Sequence, residues 1–131
     1  MDRPRLTVST ASMAPAAIGP YSQAVRHGDL LYCSGQIPLD PASGEPVGGS
    51  VAEEASQCLR NLAAVCEAAG TGLSQALRLT VYTTELGQFA EINQAYAEFF
   101  GDEPPARAAV GVAALPKGVR VEIDAIVAVP E

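Results

Sequence analysis

The sequence is poor in the residues that most hydrolytic and nucleolytic chemistry draws on. It holds a single histidine, His27, within the turn-like run His27-Gly28-Asp29. A Ser-His-Asp triad needs its base held rigidly between a nucleophile and an orienting acid, and a two-histidine nuclease needs a second imidazole. The plain reading of His27 is a surface turn residue. Eight basic residues stand against fifteen acidic ones, a formal charge of −7 that repels nucleic-acid phosphates unless the few cations cluster. Cysteine is also scarce. Cys33, Cys58 and Cys66 are odd in number, widely spaced and free of any C-x-x-C, so the expectation is three reduced, mostly buried thiols rather than a disulfide framework or a zinc cluster. No apolar run reaches the length that spans a bilayer, and Met1 to Tyr21 carries two early arginines without the apolar stretch of a secretory signal. The expectation is a soluble cytoplasmic protein with no metal, no organic cofactor, no membrane and no nucleic-acid partner.

What is present reads as one domain, 1–131, since a chain of 131 residues can bury one sheet and a pair of helices but not two independent cores. The stretch to about Pro20 mixes Ser, Thr, Ala and Pro and reads as an arm, with 1–13 flexible or forming one short strand around Leu6–Val8. From Ala24, two strand-like runs flank the His27-Gly28-Asp29 turn, a β-hairpin that continues through Leu30-Leu31-Tyr32-Cys33. Asp40-Pro41-Ala42-Ser43-Gly44 and Gly48-Gly49 predict an exposed loop. Ser50 with Glu53 forms a capping box, Ala55, Leu59, Leu62, Cys66 and Ala69 keep helical spacing, and Gly70 supplies the stop.

Leu77, Leu79, Val81 and Thr83 alternate with Arg78, Thr80 and Tyr82, which is strand periodicity with one face more apolar. Phe89, Ile92, Tyr96 and Phe99 mark a second amphipathic helix that stops at Gly101. After Pro104-Pro105, Ala106–Val112 runs extended, Gly118 closes a turn, and Val119–Val129 alternates as a last strand. The predicted fold class is α+β, in the order β-β-α-β-α-β-β. Two helices cover one face of such a sheet, yet Leu30, Leu31, Tyr32 and Cys33 place apolar groups on both. Copies of the chain packed edge to edge into a barrel-like core would cover the other face.

The chemistry narrows to a few residues. Gly70-Thr71-Gly72 follows a helix rather than a strand and reads as a helix-ending turn, not a phosphate loop. Glu53-Glu54 and Asp40 read as capping and solvated carboxylates, with no second acidic cluster to complete a metal site. There remain Pro105-Ala106-Arg107-Ala108-Ala109-Val110 and Arg120-Val121-Glu122-Ile123-Asp124, strands with charges in apolar surroundings. Pattern alone favours an internal ion pair between Arg107 and Glu122. The other reading is that the planar fork of Arg107 takes a small carboxylate through two parallel hydrogen bonds.

Four pieces, in order, carry a resemblance: Ala16-Ala17-Ile18-Gly19-Pro20-Tyr21-Ser22-Gln23-Ala24, Ser34-Gly35-Gln36-Ile37-Pro38, Pro105-Ala106-Arg107, and Leu115-Pro116-Lys117 leading into Val121-Glu122-Ile123. From about Ala14 to Val129 the chain resembles the RidA/YjgF reactive intermediate deaminase family, whose members have also been labelled translation inhibitors and endoribonuclease L-PSP. The resemblance implies a chorismate-mutase-like fold, a homotrimer with clefts between subunits, and no cofactor. It implies hydrolysis of 2-aminoacrylate/2-iminopropanoate and 2-iminobutanoate to 2-oxo acids and ammonia, downstream of pyridoxal-phosphate-dependent dehydratases.

By the same resemblance, Arg107 pairs with the substrate carboxylate and Glu122 orients the attacking water, with a backbone carbonyl near Ala109 as second acceptor. Tyr21, Ser34, Gly35 and Asn93 line the cleft. Two departures stand out: Ala109 occupies the place where family members often carry a cysteine, and the connection Gly101-Asp102-Glu103-Pro104-Pro105 is shorter than usual. Other readings of the resemblance are a deaminase for a different enamine acid, of aminomuconate type, and a non-catalytic carboxylate-binding or holdase-like trimer.

Overall fold

The computed structural model describes residues 6–8 and 11–130; of the N-terminal arm, residues 1–5 and 9–10 lie outside the described residues. Ser50 and Glu53 close the expected capping box, the Ser50 hydroxyl accepting from the Glu53 N–H at 3.1 Å and the Glu53 carboxylate from the Ser50 N–H at 3.3 Å. Helix α1 then runs over Val51–Ala68, and just past its end Gly70 takes a positive φ of 84°. The hairpin joins β2 (Ala24–His27) to β3 (Leu30–Gln36), with His27 exposed beside the turn and Gly28 at φ 65°. Strand β1 (Leu6–Val8) pairs antiparallel with β2. After α1 come β4 (Ala76–Thr83), α2 (Phe89–Ala97), β5 (Ala106–Gly111) and β6 (Val121–Ala128).

The sheet order is β1-β2-β3-β6-β4-β5. Because β6 is antiparallel to both β3 and β4, those two strands are parallel to each other and α1 is the crossover between them. In the same way α2 links β4 to its parallel neighbour β5. Both helices lie on one side. In β6 the alternation is complete: Val121, Ile123, Ala125 and Val127 are buried beneath the helices, while Glu122, Asp124, Ile126 and Ala128 are half-buried on the other side. Leu31 and Cys33 join the core, and Tyr32 stands 47% exposed on the open face. That face is more polar than the sequence implies, since Thr80, Tyr82, Glu122 and Asp124 share it with Tyr32 and Ile126.

Leu59 and Leu62 of α1 are fully buried, each contributing roughly 1.5–3 kcal/mol by leaving water. All three cysteines are free and buried, and burial holds the Cys58 thiol well above the ordinary range. Among the described residues no helix is long and apolar enough to cross a membrane.

Four local expectations need correction. Leu77 is exposed rather than inward, because β4 advances from Ala76 to Arg78 while β6 advances from Val127 to Ile126, leaving Leu77 as the extra residue of a bulge. At the end of α2 it is Phe100, not Phe99, that is buried, because the chain keeps turning past Ala97 and Phe100 continues the four-residue stripe of Ile92 and Tyr96. The last two strands are shorter than expected, β5 ending at Gly111 and β6 starting at Val121. Arg120 falls outside the ladder because its N–H donates to the Glu54 carboxylate at 2.8 Å.

Glu54 is accordingly not a solvated carboxylate. It is 5% exposed and forms an ion pair with the Arg120 guanidinium, which also donates to the Gly49 carbonyl. Removing one partner strands the other charge, so Glu54→Ala is expected to cost about 2 kcal/mol or more, between the values for exposed and fully buried pairs. Glu53→Ala, which loses only half a capping box, should cost about 1 kcal/mol. Urea unfolding at one fixed protein concentration checks the order; equal losses would show that Glu54 acts as a cap alone.

Candidate active site

The site begins with a second bulge. Opposite β6, β3 advances from Cys33 to Gln36 while its partner advances only from Ala125 to Ile123, so the Ser34–Gly35 backbone bows out of the ladder. Glu122 lies against this bow. A side-chain carbon at Gly35 would overlap the Glu122 Oε2 and stand 2.9 Å from Cδ, so only glycine lets the carboxylate rest on the strand. The Ser34 hydroxyl donates to the Ser22 carbonyl at 2.6 Å and its N–H donates to the Gln23 carbonyl at 2.9 Å, which ties the bulge to the segment carrying Tyr21. Ile18, Tyr21, Ser34, Gly35, Ile37, Pro116 and Glu122 line a concavity of about 360 Å³, within the range of small-molecule sites.

Gln23, quoted above only as part of a motif and given no role there, fixes one wall. Its side chain is buried, accepting from the Ala11 N–H at 3.0 Å and donating to the Pro15 carbonyl at 2.7 Å, so it anchors the arm just before Ile18 and Tyr21. The sequence signal for it was slight: a glutamine just before β2, a strand of two apolar and two polar residues. Half-buried Glu122 has its carboxyl pushed above the usual glutamate range, first by burial and then by the nearby charge of Asp124. Asp124 accepts in turn from the Tyr82 hydroxyl at 3.2 Å.

Arg107 stands elsewhere. It pairs with Leu79 across β4–β5, which puts it on the helix side of the sheet at the exposed edge strand. Positions 89, 93 and 96 of α2 share one helical face, and Phe89, Asn93 and Tyr96 turn that face toward the arginine. The Arg107 Nη1 donates to the Asn93 Oδ1 at 2.7 Å. The guanidinium carbon lies 5.1 Å from the Phe89 ring centre and 4.9 Å from that of Tyr96, within cation–π reach of both. Ala109 follows on the same side of β5, paired with Val81.

The residues named from the sequence therefore form two groups. Tyr21, Ser34, Gly35 and Glu122 share the concavity, whereas Asn93, Arg107 and Ala109 gather where α2 meets β5. Glu122 pairs with Tyr82 on the open face and Arg107 with Leu79 on the helix face, so one chain holds them on opposite sides of its sheet. The internal Arg107–Glu122 ion pair left open by the sequence does not form. Among the described residues the ion pair is instead that of Arg120 with Glu54.

A sheet with both helices on one face, and a bulged strand cradling a glutamate on the other, defines an α+β domain of the chorismate-mutase-like type. The family model described as Endoribonuclease L-PSP matches residues 11–129. A RutC family protein of Sinorhizobium fredii is 54% identical over 114 residues, covering 87% of this chain and 90% of its own. The 2-iminobutanoate/2-iminopropanoate deaminase of Bos taurus is 51% identical over 122 residues, covering 93% and 88%. The crystal structure of RidA from an Antarctic Psychrobacter superposes with a TM-score of 0.89 at 44% identity, covering 94% of this chain and 98% of that one. The chain belongs to the endoribonuclease L-PSP family, the RidA/YjgF family that its sequence pieces resemble.

Asp124 sets part of the electrostatics at Glu122, and that part is separable. In a carboxyl-detected NMR titration, Glu122 should protonate above the usual glutamate range, and Asp124→Asn should move its midpoint downward without restoring it fully, because burial remains. An unchanged midpoint would exclude Asp124 as a source of the shift.

Proposed function

We propose that the protein is a hydrolytic deaminase of small 2-imino and 2-enamino acids, with 2-iminopropanoate and 2-iminobutanoate as substrates and 2-oxo acids plus ammonia as products. The observation that carries this reading is a half-buried carboxylate, Glu122, beside a concavity large enough for a small acid and a water. The second support is an exposed arginine whose partner within the chain is an uncharged amide. About half identity to deaminases of these imines points the same way.

The reaction needs little beyond placement. An enamine gains a proton at its β carbon to become the imine, whose C=N carbon is already electrophilic. With the imine nitrogen protonated, Glu122 accepts a proton from water as the oxygen adds to that carbon, giving a neutral carbinolamine. It returns that proton to nitrogen and takes up the hydroxyl proton as the C–N bond breaks and the C=O bond forms, so water and the protonated imine become 2-oxo acid, ammonia and a proton released to solvent. A carboxyl held above its usual range lies closer to the operating pH and exchanges protons more readily. Arg107 grips the substrate carboxylate through paired N–H groups.

Because Glu122 and Arg107 lie on opposite sides of one sheet, the complete site is assembled between copies of the chain. The exposed β5 edge, with Val110 40% exposed, and the open sheet face are the surfaces for it, and a homotrimer is the assembly this reading takes. Pyridoxal-phosphate-dependent dehydratases, which release such enamines, are the suppliers. RNA cleavage has less support, since His27 lies at an exposed hairpin turn and does not line the concavity.

Imines generated in situ by an amino-acid oxidase test the reading through pyruvate and 2-oxobutanoate formation. The native protein should accelerate both. Arg107→Ala should lose about 2–5 kcal/mol of transition-state binding, roughly 30-fold or more in kcat/KM. Glu122→Gln should lower kcat with KM near native, since the amide keeps the shape but accepts no proton. No acceleration by native protein would leave a carboxylate-binding protein or a deaminase of another enamine acid. A monomeric mass by light scattering at micromolar concentration would remove the shared site.

A further inference from the structure

Arg107 is held by more than its one hydrogen bond. A long side chain on an exposed edge strand samples many rotamers, and each ligand it binds must first order it. Here the ordering is built in from α2, whose single face brings Phe89 to 5.1 Å, Tyr96 to 4.9 Å and the Asn93 amide oxygen to 2.7 Å of the guanidinium group. Phe89 is half-buried at the start of the helix, whereas Tyr96 is 6% exposed and packed against Phe100, the two rings tilted by 43° with centres 4.8 Å apart. The Tyr96 ring is thus a fixed surface and the arginine the movable part.

Its hydroxyl does not explain the residue. The Tyr96 oxygen is buried without a hydrogen-bond partner among the described residues, so what it offers Arg107 is its aromatic face. All three partners of Arg107 are uncharged, and the Asn93 bond occupies Nη1 alone. Nε and Nη2 have no acceptor among the described residues, leaving the guanidinium edge that can take both carboxylate oxygens together.

We propose that Tyr96 is a positioning residue for Arg107: its buried ring, with Phe89 one helical stretch earlier, fixes the guanidinium plane so that one edge is presented to a carboxylate. This deepens the deaminase reading and rests on it for the ligand, but not for the arginine's order. Tyr96→Leu removes the ring, while Tyr96→Phe removes only the unpartnered hydroxyl. Phe89→Leu, at a less buried position, tests the same clamp without opening the core.

Two readouts test it. In proteins labelled with nitrogen-15, the native Arg107 Nε–H resonance should be displaced by the ring currents of two aromatics. It should move toward the bulk arginine position in Tyr96→Leu and in Phe89→Leu, and stay in place in Tyr96→Phe. With imines of 2-oxobutanoate as substrate, Tyr96→Leu should raise KM about tenfold with kcat little changed, and Tyr96→Phe should restore native values. Should Tyr96→Leu fail to fold, Phe89→Leu carries the test, with a smaller rise in KM. Native KM and an unmoved Nε–H signal in the ring-removing variants would overturn the proposal. If native protein turns over no imine, the deaminase reading fails, and the Nε–H displacement alone decides whether the clamp exists.

Discussion

The placement of both crossover helices on one face of the sheet is the constraint from which the rest follows. β3 to β4 and β4 to β5 are parallel relationships, each of which needs a helix to carry the chain back, and both helices return over the same side. Every inward position of β6 then becomes core, and every outward position belongs to a face with no cover of its own. Charge follows the division. Glu122 and Asp124 can occupy a central strand because their side is open, and Arg107 can sit on the helix side because β5 is the edge and α2 leaves it exposed.

A carboxylate in the middle of a sheet is still costly to desolvate, and the bulge is what makes it tolerable. Regular pairing of β3 would set a side chain beside Glu122 at every register position. The extra residue and the missing Cβ at Gly35 open a recess in which the carboxylate stays half-buried, neither solvated like a surface glutamate nor sealed off. Its raised proton affinity is the residue of that compromise, strengthened by Asp124 two positions along the same face. Ser34 uses its hydroxyl on a backbone carbonyl, so its first contribution is to hold the bow of the strand.

Local signals in the sequence were strong where one residue's chemistry decides a backbone outcome. The Ser50–Glu53 box, the positive φ at Gly70 and Gly28, and the alternation of Val121 to Val127 all lie within a few residues of their cause. Features that depend on counting across a ladder were not legible. Nothing in Leu77 or in Ser34–Gly35 announces that the opposing strand advances by one residue fewer. Glu54 looked like its neighbour Glu53 because its partner, Arg120, is 66 positions away, and the alternation of the last strand does not show that Arg120 leaves the ladder to meet α1. The same holds for the site: the sequence places Arg107 and Glu122 each on a strand, but which face each occupies depends on the pairing with β4.

Arg120 and Arg107 show how a fold can use one side chain in two opposite ways. Arg120 meets the carboxylate of buried Glu54 and a backbone carbonyl, so its charge is cancelled where it stands and it serves to pin β6 to α1. Arg107 meets an amide oxygen and two aromatic faces, which hold the guanidinium in place while leaving its full charge unbalanced. An acidic partner would have ordered Arg107 equally well, but on the proposed reading a substrate carboxylate would then have to displace it, and the gain from binding would be offset by the pair that is broken. Neutral partners separate order from neutralisation. Among the described residues Arg107 forms no ion pair, and that follows from its place in the fold and not from composition. It is achieved by the face of the sheet that Arg107 occupies, where α2 presents Phe89, Asn93 and Tyr96 and the carboxylates of β6 are on the other side.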